Sequence, residues 1–575
     1  MTQANELASQ GQPDAAIMHY KEWLASPVSE SQHHYIALFN MGVLLRSAGQ
    51  IDEAIAAYQA SLKLRPDFYQ SSVNLGLALE AKGNAREAIA VWESAIQPVE
   101  GQTLLLNHLG RSLETARQYS DAERKLERSL LLEPNQPDVI QHYFHLRQKQ
   151  CEWPVIKPLP GISAQALLDS FGPLGLLALT DDPAVQLRAV QAWVSRKLPP
   201  DLPRLSPEAY QHERLRIGYM SCDFRWHAVS ILTAELFELH DREQFEIYGI
   251  DFSVDDGGAM RQRVIGAMDH HLPIQSLSDE EAAQLIRRHE IDILVDLTGL
   301  TSGARYKILA YKPAPIQISY LGFVGSCGMP QIDYILVDRF VFPEELAPFY
   351  IEKPLYLPEV YQANDSKRKI GPTPSRESCG LPADSFVYCS FNGSYKITPE
   401  VFTVWMRILK RVPDSVLWLV ADNPWAQDNL IKQAIRHGMD AGRLIFAERV
   451  APAEYLARYR VADLLLDTSP YNAGTTASDA LWAGLPVLTC PGRTFASRMA
   501  GSLVNAVGLP ELIVADWLAY ENKAVQLAFQ PAELDGYRQR LQTSAKSSAL
   551  FDTERFVRNL EATLKLVLHI NQLEE

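Results

Sequence analysis

The chain has 575 residues, which at ordinary domain size means several domains. With 47% apolar and 21% charged residues it is globular in composition, which excludes wholesale disorder. A formal charge of -15 argues against broad binding to nucleic acid or an anionic membrane, so neither is expected as a partner.

The first residues, "MTQANELASQGQPDAA", hold no positively charged n-region and no apolar h-region, so no signal peptide is expected. No apolar run approaches a membrane span. The cysteines are scattered with no C-x-x-C pair, which gives no basis for structural zinc or a disulfide framework. The expected compartment is cytoplasmic.

Residues 1–140 repeat with a spacing of 34. "NMGVLLRSAGQIDEAIAAYQASLKLRP" from Asn40 matches "NLGLALEAKGNAREAIAVWESAI" from Asn74 and "HLGRSLETARQYSDAERKLERSLLLEP" from His108. Gly42, Gly76 and Gly110 recur, as do Ala54, Ala88 and Ala122, while Tyr58 and Trp92 fill a large-residue slot. Small residues at fixed places let two antiparallel helices pack closely, the pattern of an all-α tetratricopeptide solenoid. A degenerate earlier copy begins at Gly11, out of phase by four residues.

Residues 141–210 read as a helical connector with Pro-rich joints ("EWPVIKPLPG", "KLPPDLPRLSP") that packs on the region C-terminal to it. Over 211–370, β-rich runs alternate with helical stretches: "RIGYMS", "FEIYGIDFS", "DILVDLT", "PIQISYLG" and "YILVD". A second series over 371–550 has "FVYCSFN", "SVLWLV", "LIFAE", "LLLDT" and "PVLT", and a last helix occupies 551–575. Strands alternating with helices imply parallel sheets covered on both faces, here two Rossmann-like domains. Ligands of such sheets bind at the carboxyl ends of the strands.

Neither series carries G-x-G-x-x-G, a Walker A sequence or a G-x-S-x-G elbow, and no D-x-D occurs. What remains is a metal-free phosphate site built from helix N-termini and cations. In "FNGSYKITP", Lys396 stands just before the proline that starts a helix and could neutralise a leaving diphosphate; otherwise it is a solvated loop lysine. In "GTTASD", Thr475 and Thr476 could hold phosphate with Asp479 one turn on, or Thr476 and Asp479 could form a capping box. In "DFRWHAVS", His227 could accept a proton, bind a sugar or cap the next helix. "MDHHLPI" offers His270 near a strand end, and "SYLGFVGSCG" offers Gly322, which would admit a close approach to a sugar or serve turn geometry alone.

Repeats leading into "LRIGYMSCDFRWH", "DLTGLTSGARYKILAYKPAPIQISYLG", "FNGSYKITPEVFTVWMRILKRVPDSVLWL" and "LLLDTSPYNAGTTASDALWAGLPVLTCPGRTFASRMAGSLV" resemble the O-GlcNAc transferase and SPINDLY family of protein O-glycosyltransferases, in its shorter bacterial form. The resemblance covers nearly the whole chain. It implies a GT-B fold and an inverting, metal-independent enzyme with a nucleotide-sugar donor and Ser/Thr protein acceptors. Carried over, the catalytic lysine falls on Lys396, the active-site histidines on His227 and His270, and the phosphate-binding threonines on Thr475 and Thr476. The ribose-binding acid falls on Asp479, and the Leu-Gly that lines the sugar on Leu321 and Gly322. Asn40, Asn74 and His108 occupy one slot of successive repeats. There they match the asparagine ladder that holds acceptor peptides on the concave face, or they show the surface polarity that repeats produce automatically.

Four positions depart from the animal enzyme. Gly474 stands where its turn, N-G-H-T-T, has histidine, Ala453 and Leu456 stand for a Lys and a His, and Gly393 stands for a glutamine. These positions touch the nucleotide in that family and leave the donor open: UDP-GlcNAc is the first expectation, with GDP-fucose or another UDP-hexose next, and a catalytically silent repeat scaffold is the alternative from another class. No cofactor and no metal are expected.

Overall fold

The computed structural model describes residues 2–26, 31–96, 102–205, 210–544 and 547–574. The chain divides into two compact units, Met1–Arg147 with Ile156–Leu167, and Gln148–Val155 with Leu168–Glu575.

The first unit is a series of helical hairpins: Thr2–Ser9 with Pro13–Ala25, His34–Ser47 with Ile51–Leu64, Tyr69–Ala81 with Ala85–Ala95, and Thr103–Thr115 with Tyr119–Leu132. The repeated small residues explain the pairing. A Cβ on Gly42 would stand 2.6 Å from the Tyr58 ring, and one on Gly76 or Gly110 would overlap the Trp92 indole or the Leu126 side chain. Ala54, Ala88 and Ala122 are fully buried at the same contact. The tight turns need a left-handed residue, supplied by Gly49, Gly83 and, unusually, Arg117. The degenerate copy forms the same hairpin, with Gly11 in the left-handed turn and Tyr20 buried as Tyr58 is.

The second unit holds two parallel sheets. The first consists of β1 (Leu215–Ser221), β2 (Phe245–Asp251), β3 (His270–Pro273), β4 (Ile293–Asp296), β5 (Ile316–Ser319), β6 (Tyr334–Asp338) and β7 (Lys353–Leu357), in the order β3-β2-β1-β4-β5-β6-β7. The second consists of β8 (Val387–Ser390), β9 (Val416–Val420), β10 (Leu444–Ala447), β11 (Leu464–Leu466) and β12 (Val487–Leu488), in the order β10-β9-β8-β11-β12. Every residue of β4, β5, β6 and β8 is buried, as helices on both faces require. The strand order turns back at β1/β4 and at β8/β11, and each reversal opens a crevice at the carboxyl edge. This is the two-lobed α/β arrangement expected of a GT-B fold.

The lobes are fastened together: Ser502 Oγ donates to Asp338 Oδ2 at 2.5 Å, and Arg498 Nε donates to the Phe340 carbonyl at 2.7 Å. The last helix, Thr553–Glu574, returns to the first lobe. There Glu561 accepts from Asp241 N at 2.8 Å and meets His240 Nδ1 at 3.1 Å. The expected connector is divided: residues 156–167 group with the hairpins, and 148–155 and 168 onward with the lobes. The helix Pro183–Lys197 packs on the first lobe through Trp193, edge-on to Tyr306 at 4.9 Å. Asp181 just before it accepts from the backbone of Arg493 and Thr494 and from the Thr494 and Ser497 hydroxyls of the second lobe.

Candidate functional site

Loops leaving the carboxyl ends of β1, β4, β5, β7, β8 and β11 converge between the lobes, and buried aspartates hold several of them. Asp296, at the end of β4, accepts from Thr298 N and Gly299 N, and Asp338, at the end of β6, from Phe340 N, Val341 N and Tyr361 N. Asp467, just past β11, accepts from Thr468 N, Ala473 N and the Thr489 hydroxyl, and burial pushes its carboxyl up to about 7. Loops tied down in this way present their side chains rigidly, without the ordering cost a flexible loop would incur on binding.

A cavity of about 390 Å³ is lined by His227, Leu321, Gly322, Lys396, Gly474 and Thr475, among others. Lys396 is 9% exposed; its Nζ donates to the Asn472 carbonyl at 2.8 Å and sits 3.7 Å from the centre of the Tyr471 ring. Burial lowers its pKa to about 8, only partly offset by Asp467. The sequence alternative of a solvated loop lysine is therefore wrong: this cation is held out of water with one carbonyl and one ring face beside it.

The helix Thr475–Ala483 begins at Gly474, whose φ of -100° and ψ of -92° are non-helical, and no side chain caps it. Thr475 and Thr476 are its first two residues and Asp479 its fifth, so the alternative of a capping box with Thr476 as cap fails: the phase of the turn differs. The unclaimed N–H groups and the dipole at this end favour an anion. Thr475 lines the cavity; Thr476 lies beside it on the helix, its carbonyl accepting from the Tyr459 hydroxyl at 3.5 Å.

His227 is the N-cap of the helix Ala228–Leu239, its Nδ1 accepting from Val229 N at 3.3 Å and lying 3.4 Å from Asp223 Oδ2. Burial lowers its pKa, with Asp223 opposing and Arg225 reinforcing, so near neutral pH the ring is uncharged. With Nδ1 accepting, the ring proton is on Nε2, and the free nitrogen is a hydrogen-bond donor. The cap at Nδ1 leaves Nε2 free for a sugar ligand, so the two readings are compatible here. Gly322 is required by packing: a Cβ would overlap the Leu297 carbonyl. Leu321 beside it takes a left-handed φ of 67°.

Asp479 lines a second cavity of about 560 Å³ with Phe391, Gly393, Ala453, Tyr455, Leu456 and Arg368, among others. Asp479 and Arg368 form an ion pair with side chains 9% and 8% exposed. Burial raises the Asp479 carboxyl and Arg368 lowers it. Ala453 and Leu456 bring no charge to this wall, and Tyr455 places an aromatic ring there, its hydroxyl 2.6 Å from that of Tyr459.

His270 is a correction. It is the first residue of the short strand β3, paired with Tyr248 in the middle of β2, and so lies away from the carboxyl ends that carry these loops. Its ring stacks on Tyr248 at 4.4 Å and its Nε2 meets Glu246 Oε1 at 2.8 Å, with the side chain 44% exposed. It belongs to a surface contact with Glu246 and Tyr248 and not to the cluster. In the hairpin unit, Asn40 Nδ2 donates to the Tyr20 hydroxyl at 3.2 Å, Asn74 Nδ2 to the Gln70 carbonyl at 3.0 Å, and His108 stacks on Trp92 at 5.6 Å. All three are half-buried with these contacts made. Arg368, Asp467, Tyr471 and Gln362 escaped the sequence reading. Only Asp467, an acid directly after an apolar strand, carried a local signal.

The model of glycosyl transferase family 41 matches residues 201–373 and 363–560, and a tetratricopeptide-repeat model matches 1–66 and 39–102. A probable UDP-N-acetylglucosamine--peptide N-acetylglucosaminyltransferase SEC of Arabidopsis thaliana is 40% identical over 356 residues, 61% of this chain and 36% of that protein. A SPINDLY protein of Solanum lycopersicum, given the same probable activity, is 30% identical over 359 residues, 60% of this chain and 38% of that one. The chain thus spans little more than a third of the length of these curated relatives. The solved structure of an O-GlcNAc transferase mutant of Thermobaculum terrenum superposes with a TM-score of 0.71 at 25% identity, covering 95% of this chain and all of that one. The family match runs through both lobes and every loop that lines the two cavities, and the chain belongs to glycosyl transferase family 41.

Proposed function

We propose that the chain is an inverting protein O-glycosyltransferase that moves a sugar, in the first place GlcNAc from UDP-GlcNAc, to Ser or Thr hydroxyls of acceptor proteins. The observation that carries this reading is the uncapped helix at Gly474–Thr475 facing the same cavity as the buried Lys396. In this reading the diphosphate lies on the helix N-terminus with Thr475 and Thr476, and Asp479 receives the ribose hydroxyls. A diphosphate beside Lys396 restores the full charge that burial depresses. That cation then stabilises the leaving nucleoside diphosphate more than the bound substrate, because negative charge grows on the leaving oxygen as the glycosidic bond breaks. The acceptor hydroxyl attacks the anomeric carbon from the opposite face, in one displacement that inverts its configuration. The Nε2–H of His227 donates to a sugar or acceptor oxygen, and Leu321 and Gly322 line the sugar. The side chains present supply these roles without a metal or cofactor.

The names of the relatives support UDP-GlcNAc and a peptide acceptor, and the helical hairpins supply a surface for that acceptor, with Asn40, Asn74 and His108 as contact candidates. The uncharged base-side wall at Ala453 and Leu456 keeps GDP-fucose and other UDP-hexoses in the test. A thermal-shift panel of UDP, GDP, UDP-GlcNAc, UDP-glucose and GDP-fucose decides, since a ligand that binds only the native state raises the melting temperature by mass action. UDP and UDP-GlcNAc are expected to give the largest shifts, and a flat response to all five sinks the reading.

A further inference from the structure

Gln362 lies just past β7 and is 1% exposed, yet its side-chain nitrogen has no hydrogen-bond partner. A buried, unpaired amide N–H is rare, because it gives up water and receives nothing in exchange. It is not the product of a loose loop. Tyr361 N donates to Asp338 at 2.8 Å, Tyr320 Oη donates to the Tyr361 carbonyl at 3.0 Å, and Ala363 N donates to Tyr320 Oη at 3.1 Å. The backbone on both sides of Gln362 is therefore fixed, and the side chain is held in the wall of the cavity that also contains Lys396, Gly474 and Thr475.

The Gln362 amide borders the turn at Gly474 through its Oε1, which also accepts from the Tyr361 hydroxyl at 3.4 Å, and Nε2 is the atom of that amide left unpaired in the cavity wall. A Cβ on residue 474 would lie 2.6 Å from Met499 Cε and 3.5 Å from Gln362 Oε1, so Met499 and Gln362 occupy the space a side chain at this turn would need. The turn can offer only backbone to a ligand, and the neighbouring polar side chain comes from the other lobe.

We propose that Gln362 binds the glycosyl donor, its amide N–H donating to a diphosphate oxygen held at the Gly474–Thr475 helix start; this rests on the proposed donor-binding role of that helix. An anion at the uncapped helix end would satisfy the orphaned N–H, and a charged acceptor makes the stronger kind of hydrogen bond.

The test is calorimetric titration of the full chain with UDP, with uridine as the phosphate-free control, for wild type, Gln362→Met and Gln362→Glu. Methionine keeps the volume and deletes the N–H, so UDP affinity should fall roughly 10- to 100-fold while uridine affinity holds. Glutamate places a carboxylate against the diphosphate, so UDP affinity should fall further and recover as the pH is lowered and the acid protonates, which a packing role would not produce. Equal UDP affinity in wild type and a normally melting Gln362→Met protein overturns the inference and leaves the donor reading standing. Affinity lost for UDP-GlcNAc but not for UDP overturns the assignment to the diphosphate. Wild-type protein that binds neither UDP nor GDP overturns the donor reading and this inference with it.

Discussion

Replacing Lys396 by Met should stabilise the protein while abolishing transfer. Burial lowers the pKa of this lysine from 10.5 to about 8. At about 1.4 kcal/mol per unit, holding the charged form in the folded state costs about 3 kcal/mol. Methionine removes that cost and fills the apolar path of the stem. It forfeits the hydrogen bond to Asn472, worth about 1 kcal/mol, and the contact with the Tyr471 face, worth about 1 kcal/mol. The expected net gain is about 1 kcal/mol at pH 7. The sign of the pH dependence comes from the same shift. Between about 8 and 10.5 the unfolded chain keeps the lysine proton and the folded chain has lost it. Wild-type stability therefore rises with pH across that window, and the methionine variant loses its advantage there. Urea unfolding of both proteins at pH 7 and pH 10, followed by tryptophan fluorescence, reads the difference. A variant less stable than wild type at pH 7, or a difference that does not change with pH, would refute the argument that Lys396 is a strained cation awaiting an anion.

The same shift predicts proton uptake on nucleotide binding: at pH 8.5, UDP should draw on the order of half a proton or more into wild type and none into Lys396→Met. Calorimetry in two buffers of different ionisation enthalpy measures it, and buffer-independent heats would count against the assignment. Arg368→Leu leaves Asp479 buried without its partner, which should cost about 3 kcal/mol of stability. Because Arg368 is what holds that carboxyl down against burial, UDP affinity in the variant should also begin to fail at a higher pH than in wild type as the pH is lowered. Unchanged stability and an unchanged pH profile together would show that the pair is incidental. In the hairpin unit, Gly76→Ala drives a methyl into the Trp92 ring and should lower stability by about 1–3 kcal/mol. UDP affinity, read on the lobes, should hold, and an unaffected melt would mean the hairpin is not closely packed.

The fold was legible where burial dictates residue type over a whole element. Strands covered on both faces must be apolar throughout, so "DILVD", "YILVD" and "LLLDT" stood out, whereas β7, "KPLYL", opens with Lys and Pro and gave no such run. The repeats were legible because Gly76 and Trp92 require each other across a hairpin, and that requirement recurs at a fixed spacing. Lys396, His227, Leu321, Gly322, Gly474 and Thr475 were marked by their place after strands and by the family likeness, and the structure gathers them in one cavity. The capping-box alternative stayed open in the sequence because T-x-x-D fits two phases of a helix start, and only the backbone angles at Gly474 tell them apart. His270 was misplaced because a short motif says which strand a residue joins and not which end of it. The Arg368–Asp479 pair and Gln362 left no trace in the sequence: their partners are brought together by the two lobes, from segments far apart along the chain.

The central claim is most directly tested by incubating the full chain with UDP-GlcNAc and a Ser/Thr-containing acceptor protein and mapping the product by mass spectrometry. The account predicts N-acetylhexosamine on a Ser or Thr hydroxyl with wild type and none with Lys396→Met. Equal modification by the two proteins, or none from wild type with any sugar nucleotide of the panel, would contradict it.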